Sequence, residues 1–309
     1  MAADHVIGVD VGGTKILAGV VDREGVLGAR RERTTPVDTQ EALVDALVEA
    51  VEELRDGEVG AIGFGIPSTI DQRAGRAVSS VNIPLVDVDL RARMSERFGV
   101  PVAVENDANA AAVAEWKAGA GRGTQHMVML TLGTGVGGGL ILDGRLYRGA
   151  VGAAGELGHV VIEHDGARCQ GTCTGRGHLE AVASGHAASE RASELFGPAA
   201  DAHRLVRLAQ EGDASAVEAL REIGRRLGSA MGGLVNVFNP ELIVVGGGFG
   251  AAGELLLAPA REVLLREALP PARDVVRIVR AGLGTAAGVV GAGLVAFEAL
   301  DSAASGAAS

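Results

Sequence analysis

The chain has 309 residues, 47% hydrophobic and 3% aromatic, with 28 basic against 39 acidic side chains and a net charge of -11. That apolar content excludes intrinsic disorder and predicts about two domains with cores of Val, Leu, Ile and Ala. The acidic balance, with no basic run beyond Arg30, Arg31 and Arg33 around Glu32, argues against a nucleic-acid reader. No apolar stretch of ~18 residues is free of Gly or charge, and no basic segment precedes a hydrophobic one at the N-terminus. Neither a membrane span nor a signal peptide is therefore expected, and the cytoplasm is the expected compartment.

Along the chain, His5 to Asp22 reads as a β-hairpin: two apolar runs joined by Gly12-Gly13-Thr14. Val26 to Arg33 adds a third antiparallel strand. Asp38 to Leu54 predicts a helix, with Leu43, Leu47, Ala50, Val51 and Leu54 on one face and Asp38 and Glu41 at capping-box spacing. Val59 to Ile66 predicts a strand running into Pro67, Asp87 to Phe98 a helix, Val102 to Val104 a strand, and Asp107 to Trp116 an Ala-rich helix. The pattern then restarts: His126 to Leu132 is a strand, Gly133-Thr134-Gly135 a turn and Gly139 to Asp143 the next strand. At a constant offset of 121 residues, Asp10 meets Thr131, Gly12 meets Gly133, Val20 meets Ile141 and Asp22 meets Asp143, a weak internal repeat. Helices near Glu180–Phe196 and Asp213–Asn239, a strand Leu242–Val245, a helix Gly253–Leu265, a strand Val275–Val279 and a last helix near Ala286–Leu300 follow. The tail Asp301–Ser309 is small and polar and is expected to be disordered. Two copies of a hairpin followed by strand–helix units predict two α/β domains whose ligand loops face one cleft.

Five motifs carry chemistry. Asp10, followed by Gly12, Gly13, Thr14 and Lys15, can hold hydrated Mg²⁺ beside phosphates, because the glycines let N–H groups approach closely; an ordinary hairpin turn is the rival. Gly133, Gly135 and Gly138 match a dinucleotide fingerprint but enter a strand rather than a helix, which suits a phosphate-contacting hairpin better. Gly246 to Ala251 matches it between a strand and a helix, which keeps a nicotinamide dehydrogenase open, although no acid follows ~20 residues later at the end of a next strand. Glu105-Asn106-Asp107 leaves a strand and opens a helix, so a carboxylate there is either an N-cap or a proton acceptor for a substrate hydroxyl. His159, Cys169, Cys173 and His178 include both cysteines of the chain and suit a tetrahedral Zn²⁺ site, with His164 the competing ligand and a loop with two free thiols the rival.

In this order, Asp10-Val-Gly-Gly-Thr-Lys15, Glu105-Asn106-Asp107, Leu132 to Gly139, Gly155-Glu156-Leu-Gly-His159, the Cys loop ending Leu179-Glu180 and Gly246-Gly-Gly248 resemble the ROK family of sugar kinases and repressors over nearly the whole chain. Within it the resemblance is nearest to bacterial ATP-dependent enzymes acting on glucose. It implies an α/β, two-domain, actin/hexokinase-like (ribonuclease H-like) fold with a central cleft. Residues 1–117 with 287–309 would form the smaller domain and 118–286 the larger, carrying the zinc loop. It implies phosphoryl transfer from ATP to a hexose 6-hydroxyl, glucose first, with mannose, an N-acetylhexosamine or fructose as alternatives and a non-catalytic sugar sensor as the rival. Asp107 matches the catalytic base, and Asn106, Glu156, His159 and Glu180 the sugar contacts, with Gly65 and Asn82 lining the sugar pocket. Asp10, Gly12, Gly13, Thr14, Lys15, Gly133, Thr134 and Gly135 match the Mg·ATP phosphate region, and Gly247 and Gly248 the adenosine side. His159 would serve twice, one nitrogen on a structural Zn²⁺ and the other on the sugar. A homodimer or higher homo-oligomer is implied, with no nucleic acid or membrane partner. Two departures stand out. The first two cysteines lie farther apart than the family's Cys-x-Cys, with His178 replacing its last Cys, an exchange zinc accepts. Ser68 replaces the family's Gly after Pro67. The family's repressors carry an N-terminal DNA-binding helix pair, and here the first phosphate motif begins at Asp10, so a kinase is expected.

Overall fold

The computed structural model describes residues 4–55, 59–80 and 82–306. Strands β1 (His5–Val11), β2 (Lys15–Asp22) and β3 (Leu27–Thr34) are followed by helix α1 (Gln40–Glu52), strand β4 (Ile62–Ile66), the hairpin β5 (Ser68–Asp71) and β6 (Arg76–Ser80), helix α2 (Leu90–Phe98) and strand β7 (Val102–Asn106). The first sheet has the order β3-β2-β1-β4-β7, with β4 parallel to β1 and β7 parallel to β4. Every residue of β4 is buried, as expected of a parallel strand covered on both faces. Helix α3 (Asp107–Ala118) leads to β8 (Met127–Leu132), β9 (Val136–Leu142) and β10 (Arg145–Leu146); then come α4 (Glu180–Ala183), α5 (Gly185–Phe196), α6 (Ala202–Gln210), α7 (Ala214–Phe238), β11 (Leu242–Gly246), α8 (Glu254–Glu267), α9 (Ala272–Val275) and β12 (Arg277–Arg280). The second sheet has the order β10-β9-β8-β11-β12. Both sheets follow one permutation, third-second-first-fourth-fifth, so the weak sequence repeat at Asp10 and Thr131 is a repeat of topology.

Helix α10 (Ala287–Gly306) returns to the first sheet. It lies close because β1 and β4 present glycines beneath it. A Cβ on Gly8 would sit 2.1 Å from the Val289 carbonyl oxygen, and one on Gly63 would sit 1.9 Å from that of Ala292. The side chains of α3 and α10 join Met127, Met129, Leu242 and Val244 in a single core cluster between the sheets. The segment Gly284–Ser305 is long and apolar enough to cross a membrane, but more than half of it is buried in this core.

The chain crosses between the sheets after α3 and again before α10, and one carboxylate ties both crossings. Glu115, fully buried, accepts the N–H groups of Ala120 at 2.9 Å, Gly282 at 3.0 Å and Leu283 at 2.8 Å. Replacing Glu115 with Ala removes a buried charged acceptor from three backbone amides. A hydrogen bond to a charged group contributes about 1.5–3 kcal/mol, and amides that can turn to water recover part of it, so the loss is expected to be about 3 kcal/mol. A urea midpoint equal to wild type would show that these amides find other partners.

Several expected boundaries move. Thr39, not Asp38, caps α1, its hydroxyl accepting from the Ala42 N–H at 3.2 Å; its extended backbone places the oxygen over the first turn. Strand β9 begins at Val136, earlier than the Gly139 expected, because its glycines pair with β8. The helix expected over 180–196 breaks at Ser184, whose backbone is extended and whose hydroxyl caps α5. Asp301 to Gly306 continues α10 instead of forming a loose tail, and the Arg23 guanidinium grips Asp301 at 2.8 Å; residues 307–309 lie outside the described part. The β5–β6 hairpin and α6 carry no reading from sequence.

Candidate active site

A cleft of about 460 Å³ opens where the loops leaving both sheets converge. Its walls include Asn106 and Asp107 from the start of α3, Glu156 and His159 from the loop after β10, Glu180 from α4, and Asn82. Glycine loops complete it: Gly12 and Gly13 between β1 and β2, Gly133 to Gly135 between β8 and β9, and Gly247 after β11. A second cavity of about 570 Å³ shares Gly133 and Thr134 with this cleft and is walled by Gly248, Phe249, His186 and Arg207 among others.

Strand β7 ends where helix α3 begins. Asn106 is the N-cap, its Oδ1 accepting from the N–H groups of Ala108 at 2.9 Å and Asn109 at 3.1 Å. The capping role therefore belongs to Asn106, and Asp107, the first helical residue, is left to face the cleft. Burial pushes the Asp107 carboxyl up from 3.8, the Ala108 N–H pulls it down, and the Glu156 charge raises it further. A carboxylate made more basic in this way is suited to accept a proton. Gly65 packs beneath rather than in the cleft, where a Cβ would come within 3.3 Å of Ala110 and 3.9 Å of the Asp107 Cα. Its smallness lets β4 run close under Asp107.

Asp10, at the end of β1, lies behind the glycine turn. Burial first, then the charge of Asp107, pushes its carboxyl up to about 7, against a lowering by Lys15. A Cβ on Gly288, at the start of α10, would come within 2.3 Å of that carboxylate. A buried carboxyl that a second carboxylate raises further is a fitting place for a divalent cation. In the Gly12–Thr14 turn, the Gly12 N–H is engaged by the Lys15 carbonyl at 2.8 Å, whereas those of Gly13 and Thr14 meet no acceptor among the described residues. Lys15 itself turns out toward Glu32 at 3.0 Å on the exposed face of the sheet.

The Asp10 shift has a sign that can be checked. The unfolded chain ionises near 3.8 and the folded one near 7, so between these values the folded state holds the extra proton. Stability of the ligand-free protein is then expected to fall as pH rises through that window, with Asp107 acting in the same direction. In Asp10→Asn the Asp10 share of the slope disappears. Urea midpoints at about pH 5 and about pH 7.5 measure it; an equal slope in both proteins would assign it to other groups.

The loop between His159 and His178 folds back on itself through bridges joining Val161 to His178 and Arg168 to Arg176. It brings one donor atom from each of His159, Cys169, Cys173 and His178 within 4.8 Å of one another. The two ring nitrogens, both Nδ1, lie 3.2 Å apart, with Cys169 Sγ at 3.7 Å from His159 and Cys173 Sγ at 3.6 Å from His178. Tetrahedral Zn²⁺, with bonds of about 2.0 Å to nitrogen and about 2.3 Å to sulfur, sets such edges near 3.3 and 3.6 Å, to about 0.2 Å. The residues fit the metal, which two cysteines and two histidines would hold with four ligands. His164 stands outside the group, 94% exposed.

The same loop supports Glu180. Its Oε2 accepts from the Val136 N–H at 2.9 Å, and a Cβ on Gly135 would collide with that oxygen at 2.1 Å. Gln170 donates to the Glu180 carbonyl at 3.0 Å and to the Ser184 hydroxyl at 2.7 Å. Helix α5 then donates its first N–H groups to the phosphate loop, Gly185 to Gly133 at 2.8 Å and His186 to Thr134 at 3.1 Å. Ser68 is buried with its hydroxyl turned into the β5–β6 hairpin, donating to the Ser79 carbonyl at 2.7 Å and accepting from Ser80 at 2.6 Å. It offers the cleft only its backbone, where its carbonyl meets the Asn106 amide at 3.4 Å. The Gly246 loop leads into a short 3-10 turn, Phe249–Ala252, before α8, so no helix N-terminus follows its glycines directly.

Two sheets of one topology, closed over a cleft by α3 and α10, define an actin/hexokinase-like fold of the sugar-kinase type. The chain belongs to the ROK family, whose model matches residues 6–299. A curated glucokinase of Streptomyces coelicolor is 38% identical over 311 residues, covering 94% of this chain and 97% of that protein. The structure of a ROK family glucokinase from Streptomyces griseus in complex with glucose and AMPPNP superposes with a TM-score of 0.83 at 37% identity, covering 95% of this chain and 99% of that one. The ROK hexokinase of Thermus thermophilus gives 0.84 at 37% identity, covering 96% and 99%.

Proposed function

We propose that the chain is an ATP-dependent hexose kinase that phosphorylates glucose at the 6-hydroxyl. The observation that carries this reading is the joining, in one cleft, of a half-buried carboxylate with raised basicity at Asp107, the polar set Asn106, Glu156, His159 and Glu180, and three glycine loops. The glucokinase relatives and the glucose and AMPPNP complex of the Streptomyces griseus enzyme support the same substrates.

Glu156, His159 and Glu180 hold the sugar hydroxyls, and Asp107 takes the 6-hydroxyl proton as that oxygen attacks the γ-phosphorus. The free N–H groups at Gly13 and Thr14, with Thr134 and Gly135 opposite, face the transferring phosphoryl group. The adenosine lies along Gly247 and Gly248 into the second cavity. Asp10 would hold Mg²⁺, which neutralises charge on the phosphates when bound. Phosphoryl transfer asks mainly for positioning and electrostatics, which these residues supply. His159, Cys169, Cys173 and His178 would hold a structural Zn²⁺, leaving the His159 Nε2 for the sugar. We divide the chain into hinged lobes, 1–117 with 287–309 and 118–286, because it crosses between the sheets at 119–126 and 281–286. An ATP requirement supports the cytoplasm as its compartment. The family resemblance carries the expectation of a homo-oligomer, which sedimentation velocity tests.

The test is a sugar panel with ATP and Mg²⁺, read by ADP release. Glucose is expected first, and analogues lacking a hydroxyl held by a glutamate are expected to fall steeply in kcat/KM, because the bound sugar displaces water from the cleft and leaves that carboxylate without a partner. Higher kcat/KM on N-acetylmannosamine, N-acetylglucosamine or fructose than on glucose would remove the glucose assignment and leave the kinase. Sugar binding with no turnover of any sugar would leave a sensor.

A further inference from the structure

The kinase reading leaves unused a buried charge beside the base. Glu105, 1% exposed at the end of β7, has both carboxylate oxygens engaged. Its Oε1 accepts from the Asn106 N–H at 3.0 Å and from the Asn109 side-chain amide at 3.1 Å. Its Oε2 accepts from Arg148 Nε at 2.7 Å. The same guanidinium donates from Nη2 to Glu298 on α10 at 3.1 Å.

Arg148 belongs to the other sheet's half of the molecule. It lies just after β10 and opens the loop that carries Glu156. That loop closes on it, the Ala154 N–H donating to the Arg148 carbonyl at 3.2 Å, two residues before Glu156. At its tip the Val151 carbonyl accepts from the Gln72 N–H at 3.2 Å, and Gln72 in turn donates to the Val104 carbonyl of β7 at 3.0 Å. At its exit a Cβ on Gly155 would lie 3.3 Å from the Asn109 Oδ1, a buried acceptor with no partner among the described residues. The Glu156 loop is thus strapped across to β7, the β5–β6 hairpin and α10, and its one charged fastening among the described residues is Arg148.

From this geometry we infer that Arg148 is a positioning residue for phosphoryl transfer, holding the Glu156 loop in register with the Asn106–Asp107 turn through the buried Glu105. The inference rests on the kinase reading. A guanidinium suits the task because its planar fork reaches two carboxylates on different elements, which a lysine ammonium on a flexible stem does not reproduce. A shift of about 1 Å between sugar and base can cost about 10²-fold in rate.

Removing Arg148 alone leaves Glu105 buried and uncompensated, which can unfold the site. The experiment therefore uses the neutral pair Glu105→Gln with Arg148→Met, and separately Arg148→Lys, which keeps the charge. Each is followed by thermal melting and by kcat and KM for glucose and for ATP. Both are expected to melt cooperatively, with kcat down about 10²-fold in the neutral pair, glucose KM raised and ATP KM unchanged; Arg148→Lys shifts kcat and glucose KM in the same direction. Wild-type kcat and glucose KM in either folded variant would reduce the arginine to a structural ion pair and overturn the inference. A general loss with ATP KM rising in parallel would overturn it as well. Wild-type protein that turns over no sugar would instead fail the kinase reading beneath it.

Discussion

Replacing Asp107 with Asn is expected to lower kcat by about 10²–10⁴-fold, the usual span for losing a general base, while glucose affinity stays within the same order. The separation follows from the turn. Asn106, not Asp107, caps α3, so the substitution leaves the cap bonds to Ala108 and Asn109 in place. The amide is nearly isosteric with the carboxylate and cannot take the hydroxyl proton. Burial and the Glu156 charge, which raise the Asp107 carboxyl, make its ionised form costly and hence a stronger base in the cleft. Because Glu156 then faces a neutral neighbour, sugar binding should hold or tighten slightly. Calorimetry with glucose and steady-state ADP release measure the two quantities. Near-normal turnover in Asp107→Asn would show that another group takes the proton.

Loss of zinc is expected to have the second largest effect. Purified protein should contain about one Zn²⁺ per chain. Cys169→Ser or Cys173→Ser should lower that content and weaken glucose affinity by about 10–100-fold, the usual cost of losing groups that orient a site. The coupling is local: His159 is shared between the metal group and the cleft, and Gln170, between the cysteines, carries the Glu180 carbonyl and Ser184. ATP affinity should change less, since Gly12, Gly13 and Gly247 lie on other loops. Burial pushes the Cys169 thiol up to about 12, so metal uptake must expel a proton and should weaken as pH falls. Elemental analysis that finds no zinc in an active preparation would end this assignment.

The chemistry-bearing turns were legible because each is local. A glycine run after an apolar strand, a Glu-Asn-Asp leaving a strand and two cysteines between histidines are all short patterns with a mechanism. Other parts were not. The helix over 180–196 breaks because a Ser184 hydroxyl serves as a cap, a choice that propensity does not reveal. Asp301 to Gly306 continue the last helix, where Arg23, far away in sequence, holds Asp301. Ser68 stands in the sequence as a departure from the family's Gly, and only the fold shows that its hydroxyl bonds Ser79 and Ser80 across a hairpin that sequence periodicity did not mark.

By itself the sequence determined the repeat of two α/β units, the family pattern and the residue types that gather at the cleft, because backbone-limited turns and metal spacings are written in neighbouring residues. Tertiary structure alone decided which groups those residues are free to serve. Whether Asp107 caps or faces the cleft, whether Lys15 reaches phosphate or Glu32, and whether Arg148 is solvent charge or a strap on Glu105 depend on which partners the fold brings within hydrogen-bond distance. A buried polar atom must be satisfied by whatever lies beside it, and what lies beside it is set by the packing of elements distant in the chain.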